Sequence, residues 1–141
     1  MLHVNRVTLV GNAGKDAELS KTSQGDDMAR FSLATTERWT DGEGRQQERT
    51  QWHNVVAFRH HAVAAGRFVR KGSRVLVEGK IEQREWTDGE GKQQRIVEIR
   101  VAGGHGMVNV LDRGAADAQE SAAAEVAAAD AGGGEVAAAG T

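Results

Sequence analysis

Three tryptophans stand beside polar or cationic side chains rather than inside apolar runs. Trp39 and Trp86 each lead into a polar turn, and Trp52 lies in a strand-like stretch. Exposed rings interleaved with Lys and Arg suit binding of single-stranded nucleic acid, because bases stack on the rings and phosphates pair with the cations. The same rings could instead be half-buried anchors of the turns. The pattern alone leaves both interpretations open.

Strand alternation assigns most of these rings to a face. Trp52 and Phe58 share one face of their strand, and Trp86 shares a solvent-type face with Arg84. Trp39 has the parity of the apolar residues before it, but a bulge would turn it to the other side. Its face therefore stays open.

No pattern of catalytic or metal-ligating residues is visible. The chain has no cysteine, and its five histidines lack ligand spacing. Asp41 and Glu43 superficially suggest a calcium loop, but no third ligand or bidentate Glu follows in register. The sequence therefore predicts no catalytic site, no metal and no cofactor.

Charge is divided unevenly along the chain. The net charge is −2, yet residues 115–141 contain five acidic residues and no cation, which leaves the preceding part mildly basic. A basic body with an acidic tail suits a polyanionic ligand, although an ordinary soluble domain also carries such a charge.

Most of the sequence before residue 113 has the pattern of β-strands. One short helix is predicted at 60–69, ended by Lys71 and Gly72. It separates three early strands from a later group. The predicted strands are 4–10, 29–38, 51–58, 73–79, 80–87, 93–101 and 107–111.

A nine-residue segment occurs twice. WTDGEGRQQ at 39–47 returns as WTDGEGKQQ at 86–94, with one Arg-to-Lys change. Asp-Gly between strands is typical of hairpins. We therefore expect two hairpins with near-identical polar tips, each entered through a tryptophan.

The composition predicts two regions, 1–112 and 113–141. The second is rich in Ala and Gly and cannot bury enough apolar area to offset its ordering entropy, so a disordered or weakly helical acidic tail is expected. The start lacks the apolar core of a signal peptide, and no apolar run approaches a membrane span. The cytosol is the expected compartment, with no membrane contact.

Five ordered blocks resemble a known family. VNRVTLVGNAGKDAEL, FSLATTERW, WHNVVAF, FVRKGSRVLVEGKIEQREWTDGEGK and VNVL are together similar to the bacterial single-stranded DNA-binding protein family, over residues 1 to about 112. The resemblance implies an all-β fold: a five-stranded OB-fold Greek-key barrel with one short helix after the third strand. It also implies sequence-independent binding and protection of single-stranded DNA during replication, recombination and repair, without catalysis and near the nucleoid.

The resemblance also assigns roles to residues. It places base-stacking aromatics at Trp39, Trp52, Phe58 and Trp86. It places basic contacts at or near Arg6, Arg70, Lys71 and Arg84, with Arg30, Arg49 and Arg59 as additional candidates. It places His53 at a subunit interface of a homotetramer.

One departure from the family concerns the tail. Relatives end in an acidic, hydrophobic tip that contains Pro and Phe, whereas this sequence has no proline and ends Ala-Ala-Ala-Gly-Thr. Docking of replication and repair proteins through the tail is therefore not expected.

Three alternatives stay open. An RNA-directed OB protein of cold-shock type would lack the quoted blocks, and an adaptor of primosome assembly would lose several stacking aromatics. A nuclease would need clustered carboxylates with a metal.

Overall fold

The computed structural model describes residues 1–112, so the predicted tail at 113–141 lies outside the described part. This region contains seven strands and one helix, which lies between the fourth and fifth strands. They are β1 (Val7–Ala13), β2 (Glu18–Lys21), β3 (Asp27–Thr40), β4 (Gln46–Phe58), α1 (His60–Phe68), β5 (Arg74–Thr87), β6 (Gln93–Val101) and β7 (Met107–Asp112).

Five of these strands close into a barrel in the order β1-β3-β4-β6-β5, with β5 returning to β1. All neighbours in this ring are antiparallel except β4 and β6, which are parallel. β2 pairs with β3 and β7 pairs with β5, each outside the ring. The predicted five-stranded OB-fold barrel is confirmed, with α1 after the third barrel strand.

The barrel interior is filled by alternate residues of the strands and covered at one end by α1. Because side chains alternate between faces, the intervening positions point outward. The core is a cluster of the buried apolar side chains Ala13, Ala29, Phe31, Leu33, Val55, Ala57, Ala62, Ala65, Val69, Val75, Val77, Ile99 and Val101.

Two predicted strand boundaries at glycines were wrong, and both glycines lie inside strands. β1 starts at Val7 and continues through Gly11, where an added Cβ would lie 2.2 Å from the carbonyl oxygen of Ala34. Segments 73–79 and 80–87 form one strand, β5. At Gly79 an added Cβ would lie 2.4 Å from the carbonyl oxygen of Arg100. These glycines allow close backbone approach at the barrel seam rather than ending strands.

The strand β2 was not predicted. Its four residues, Glu-Leu-Ser-Lys, are all exposed and carry no two-residue apolar alternation. It pairs only with β3, at the margin of the barrel.

The predicted end of the helix was also wrong. α1 ends at Phe68, Val69 is already extended, and the cation in the last turn is Arg67 rather than Lys71. Gly72 has φ 85° and belongs to the following turn, in which the Ser73 amide donates to the Arg70 carbonyl at 2.8 Å.

Candidate nucleic-acid interface

The outward-pointing side chains of β3, β4, β6 and β5 form a continuous surface, which we call the outer face. Strand register sets its composition, because paired residues stand side by side across neighbouring strands. One row contains Arg30, Val56, Arg100 and Lys80. The next row contains Ser32, Asn54, Glu98 and Glu82.

Trp52 is the most open ring of the outer face, with 60% of the residue exposed. It stands on β4 opposite Ala34 of β3. Its ring lies over Gly14, where an added Cβ would approach ring atom Cζ3 to 2.7 Å. The glycine therefore makes room for the ring, and the outward side of the ring is free to receive a flat ligand.

Phe58 lies on the same face of β4 as Trp52, and Trp86 lies on the same face of β5 as Arg84, as alternation predicted. The strand pairing places both rings on the outer face, and each has an arginine over its ring. The guanidinium carbon of Arg100 is 4.2 Å from the Phe58 ring centre. That of Arg84 is 4.9 Å from the Trp86 ring centre. Both distances fall within the range of cation–π attraction. Each of these two rings is therefore partly covered in the free protein.

Trp39 lies on the other side of its hairpin. The pairing of β3 with β4 runs without a shift from Met28 to Thr40, so no bulge re-aims the ring. Trp39 keeps the parity of the core residue Leu33, opposite to that of Trp52. Arg49, another candidate contact, shares this side and lies 6.0 Å from the Trp39 ring centre.

Two predicted cations, Arg30 and Arg84, meet at one carboxylate on the outer face. Glu98 accepts from Arg30 Nη1 at 2.6 Å and from Arg84 at 3.4 and 3.5 Å. Only 4% of the Glu98 side chain is exposed. Burial would raise the pKa of Glu98, but the bonds from Arg84 and Arg30 outweigh it and hold that pKa below its usual value.

Arg100 and Glu98 were missed by the sequence reasoning. Both follow β6 alternation, but their place beside Val56 and Asn54 of β4 depends on a parallel pairing between distant segments. Alternation within β6 could have placed the two on one face. It could not have shown which strand lay alongside.

The remaining basic candidates occupy different places. Arg70 donates to the carbonyls of Gly66 and Val69 at 3.0 and 3.2 Å, so it caps the end of α1. Arg59 pairs with Asp26 at 3.7 Å beside the start of that helix. The structure does not bring these two arginines onto the outer face.

Lys71 and Arg6 are both exposed. Lys71 lies in the turn whose Gly72 amide donates to Ala13, next to the Gly14 under Trp52. Arg6 directly precedes β1, whose first residue, Val7, pairs with Gly79. Both side chains remain available to an anion.

His53 lies on the side of β4 opposite Trp52 and is half-buried. Its Nε2 is 2.9 Å from the hydroxyl of Thr35. Its role at a subunit interface stays a prediction.

The two repeated segments form hairpin tips with the same geometry. The Asp41 carboxylate accepts from the amides of Glu43 and Arg45 at 2.8 and 2.9 Å and from the Gln47 side chain at 3.0 Å. In the second tip the corresponding donors to Asp88 are Glu90, Lys92 and Gln94.

The positive φ of each tip falls at Gly44 and Gly91, not at the glycine of the Asp-Gly pair. The backbone bonds from Arg45 and Glu43 lower the pKa of Asp41. The bonds from Gln94, Lys92 and Glu90 lower the pKa of Asp88. The ionised carboxylates therefore fasten both tips at neutral pH.

Within residues 1–112, no group of three or more His, Cys, Asp or Glu side chains is placed to hold a metal ion. The same part of the chain contains no helix that is long and apolar enough to cross a membrane.

The barrel and its outer face define a class. A five-stranded OB-fold with aromatic rings and cations across its strands is the arrangement that binds extended oligomers such as oligonucleotides. The model of the single-strand binding protein family matches residues 4–107. The chain belongs to the single-strand binding protein family, which confirms the predicted resemblance.

Individual relatives are consistent with this membership. Single-stranded DNA-binding proteins of Neisseria meningitidis serogroups A and B are each 39% identical over 84 residues. That match covers 60% of this chain and 48% of each relative, so the chain's match spans about half the length of these relatives. The structure of a Plasmodium falciparum SSB complex with ssDNA superposes with a TM-score of 0.72 at 31% identity, covering 79% of this chain and 98% of the other.

Proposed function

We propose that this protein binds single-stranded DNA without sequence preference and protects it. The observation that carries the proposal is the open Trp52 ring on the outer face of an OB barrel, a face that also carries Arg30, Arg84 and Arg100. A structural neighbour of similar fold is a complex with single-stranded DNA. The names of the Neisseria relatives support the same ligand.

The chemistry of binding follows from the outer face. Bases stack on Trp52, Phe58 and Trp86, and every base offers a π-face, so the contact tolerates any sequence. Each stacked base contributes about 1–3 kcal/mol. Arg84 and Arg100 pair with backbone phosphates, which releases counterions and makes the affinity depend on salt.

The cellular role and the assembly form part of this proposal. The protein coats unwound DNA during replication, recombination and repair in the cytoplasm, beside the nucleoid. It acts as a homotetramer with His53 at a subunit contact. The family membership supports the cellular role and the assembly. Docking of partner proteins through residues 113–141 is not proposed.

Competition against a labelled oligo-dT separates this ligand from the alternatives. Fluorescence anisotropy is followed while unlabelled single-stranded DNA, RNA of matched length or duplex DNA is added. We expect the single-stranded DNA to displace the label at the lowest concentration. Stronger competition by RNA would favour the cold-shock type of protein. Cleavage of the label in Mg²⁺ would favour a nuclease.

A further inference from the structure

Two carboxylates lie in the middle of the outer face, where their negative charge would repel the phosphates of a bound DNA strand. Glu82 of β5 and Glu98 of β6 are cross-strand neighbours. Each holds an arginine that also covers a ring: Glu98 holds Arg84, and Glu82 holds Arg100. The arrangement joins two proposed stacking rings to two carboxylates through two arginines.

The Glu98 contacts are unequal in length. Arg30 approaches Glu98 to 2.6 Å, whereas Arg84 stays at 3.4 and 3.5 Å. Short charge-assisted bonds are the strong ones, so Arg84 is the more easily released. If Arg84 leaves, the buried carboxylate still has Arg30, and no uncompensated charge remains in the barrel wall.

The Glu82 contact is also loose. Arg100 Nη1 lies 3.8 Å from Glu82 Oε1, and both side chains are nearly half exposed. Exposed pairs at such distances contribute little, so water or another anion replaces them at small cost. Arg100 is therefore free to leave the Phe58 ring when an anion approaches.

Trp52 differs from these two rings. In residues 1–112 no guanidinium covers it, and it is more exposed than Trp86. A base can stack on Trp52 without moving any cation. Stacking on the covered sides of Phe58 and Trp86 requires an arginine to move.

We propose that Glu82 and Glu98 are internal stand-ins for DNA phosphates. In the free protein they hold Arg100 and Arg84 over the stacking rings, and on binding they release these arginines to the phosphate backbone. The inference rests on the proposed function and adds two positioning residues to it. Both carboxylates lower the affinity for DNA, because phosphate must compete with them for the same donors.

Removal of either carboxylate therefore strengthens binding at low salt. In the parent protein, a carboxylate that gives up its arginine to DNA takes up a cation, which offsets the counterion released from the phosphate. In the variant this offset is absent, which steepens the logarithmic salt dependence for single strands by up to about 0.7. The advantage of the variant over the parent protein then grows up to about fivefold for each tenfold fall in salt. A merely structural role for the carboxylates would leave this slope unchanged.

The test compares Glu98→Gln and Glu82→Gln with Glu85→Gln in the full chain. Glu85 has the opposite parity on β5 and pairs with Arg95, so its variant removes the same charge away from the outer face. Oligo-dT affinity is measured across a salt series, and thermal unfolding reports the fold. We expect tighter binding and a steeper slope for both test variants, with little change for Glu85→Gln.

The outcomes distinguish a failure of single-strand binding from a failure of the phosphate stand-in role. A parent protein that does not bind oligo-dT contradicts the proposed function itself. A parent that binds, with Glu98→Gln and Glu82→Gln no tighter and no steeper than Glu85→Gln, contradicts the phosphate stand-in role alone. If Glu98→Gln does not fold, Glu82→Gln decides, because its side chain is about half exposed and its loss buries nothing unpaired.

Discussion

Trp52 depends on a residue with no side chain. The ring occupies the space beside Gly14 that a Cβ would fill, so an inward neighbour supports the ring while its outward side stays open. The indole therefore packs against the backbone at Gly14 without being buried. Support on one side and exposure on the other are what a stacking platform needs.

Replacement of Trp52 by Ala is expected to weaken single-strand binding by about 1–3 kcal/mol, because one stacked base loses its platform. Trp86→Ala is expected to cost less, because Arg84 already covers part of that ring. Calorimetric or anisotropy titration with oligo-dT measures both losses. Val97→Ala, on the other face of the β6 hairpin, serves as control. Parent-like affinity for Trp52→Ala would make Trp52 a structural anchor.

Sequence reasoning was successful at the residue scale where one strand decided the result. Alternation correctly placed Trp52 and Phe58 together, and Trp86 with Arg84. It left Trp39 open because a single bulge would have reversed its face, and only the uninterrupted pairing with β4 excludes one. The resemblance, not alternation, assigned Arg70 to the ligand, and that role stays a prediction; in the free protein its guanidinium donates to carbonyls at the end of α1.

At the scale of the elements, the two hairpin tips fix the strands that carry the aromatic rings. The two tips repeat one sequence and one geometry, in which an aspartate accepts from two amides and a glutamine. Because β3–β4 and β5–β6 extend beyond the barrel, these tips fix the far ends of the arms that carry Trp39 and Trp86.

The tip bonds are expected to weaken only in strong acid. Hydrogen bonds to the ionised form lower the pKa of Asp41 and Asp88 in the folded protein. The stability that these bonds give to the tips is therefore fully present above the ordinary aspartate pKa and is lost as the pH falls through the lowered pKa. Amide NMR shifts of Glu43 and Glu90 are followed between about pH 6 and pH 2. A midpoint at or above 3.8 would contradict the fastening role.

The seam glycine Gly79 is expected to control barrel stability. Gly79→Ala places a Cβ 2.4 Å from a backbone oxygen of β6, which cannot move without distorting the strand pairing. Overpacking of this kind costs about 1–3 kcal/mol in the free energy of unfolding. Urea denaturation measures the loss. Gly42→Ala, at a tip with nothing within 4 Å, should unfold like the parent; equal stability for both variants would refute the seam role.

Strand order was harder to predict than strand existence. The glycines at 11 and 79 looked like terminators because a local pattern cannot distinguish a turn from a close backbone crossing. The parallel β4–β6 pairing joins segments separated by the helix and by β5, so no local signal specifies it. The barrel was nevertheless predicted, from the resemblance of ordered blocks to a family.

At the scale of the whole molecule, closure of the barrel turns one set of alternate residues into a core and the other into a binding surface. The outer face is not strongly basic, because Glu82 and Glu98 stand among its arginines. Affinity then depends on stacking as well as on charge. The proposed tetramer would multiply such faces and gain from binding one strand at several sites.

The proposed tetramer predicts the behaviour of His53→Glu. If His53 lies at a subunit contact, a carboxylate there must be desolvated without a partner, which is costly. We expect light scattering to show smaller species and oligo-dT binding to weaken at low protein concentration. Phe or Gln at this position should retain more of the assembly. A parent protein that is monomeric at micromolar concentration would contradict the homotetramer.

Quenching of tryptophan fluorescence by oligo-dT, measured across a salt series, shows whether single-stranded DNA stacks on the outer face. Trp52 and Trp86 stand on the outer face, so base stacking reports on the proposed site itself. We expect saturable quenching at low salt, with an affinity that falls linearly on logarithmic axes as the salt concentration rises. Fluorescence that does not change with oligo-dT at low salt would contradict the proposed stacking.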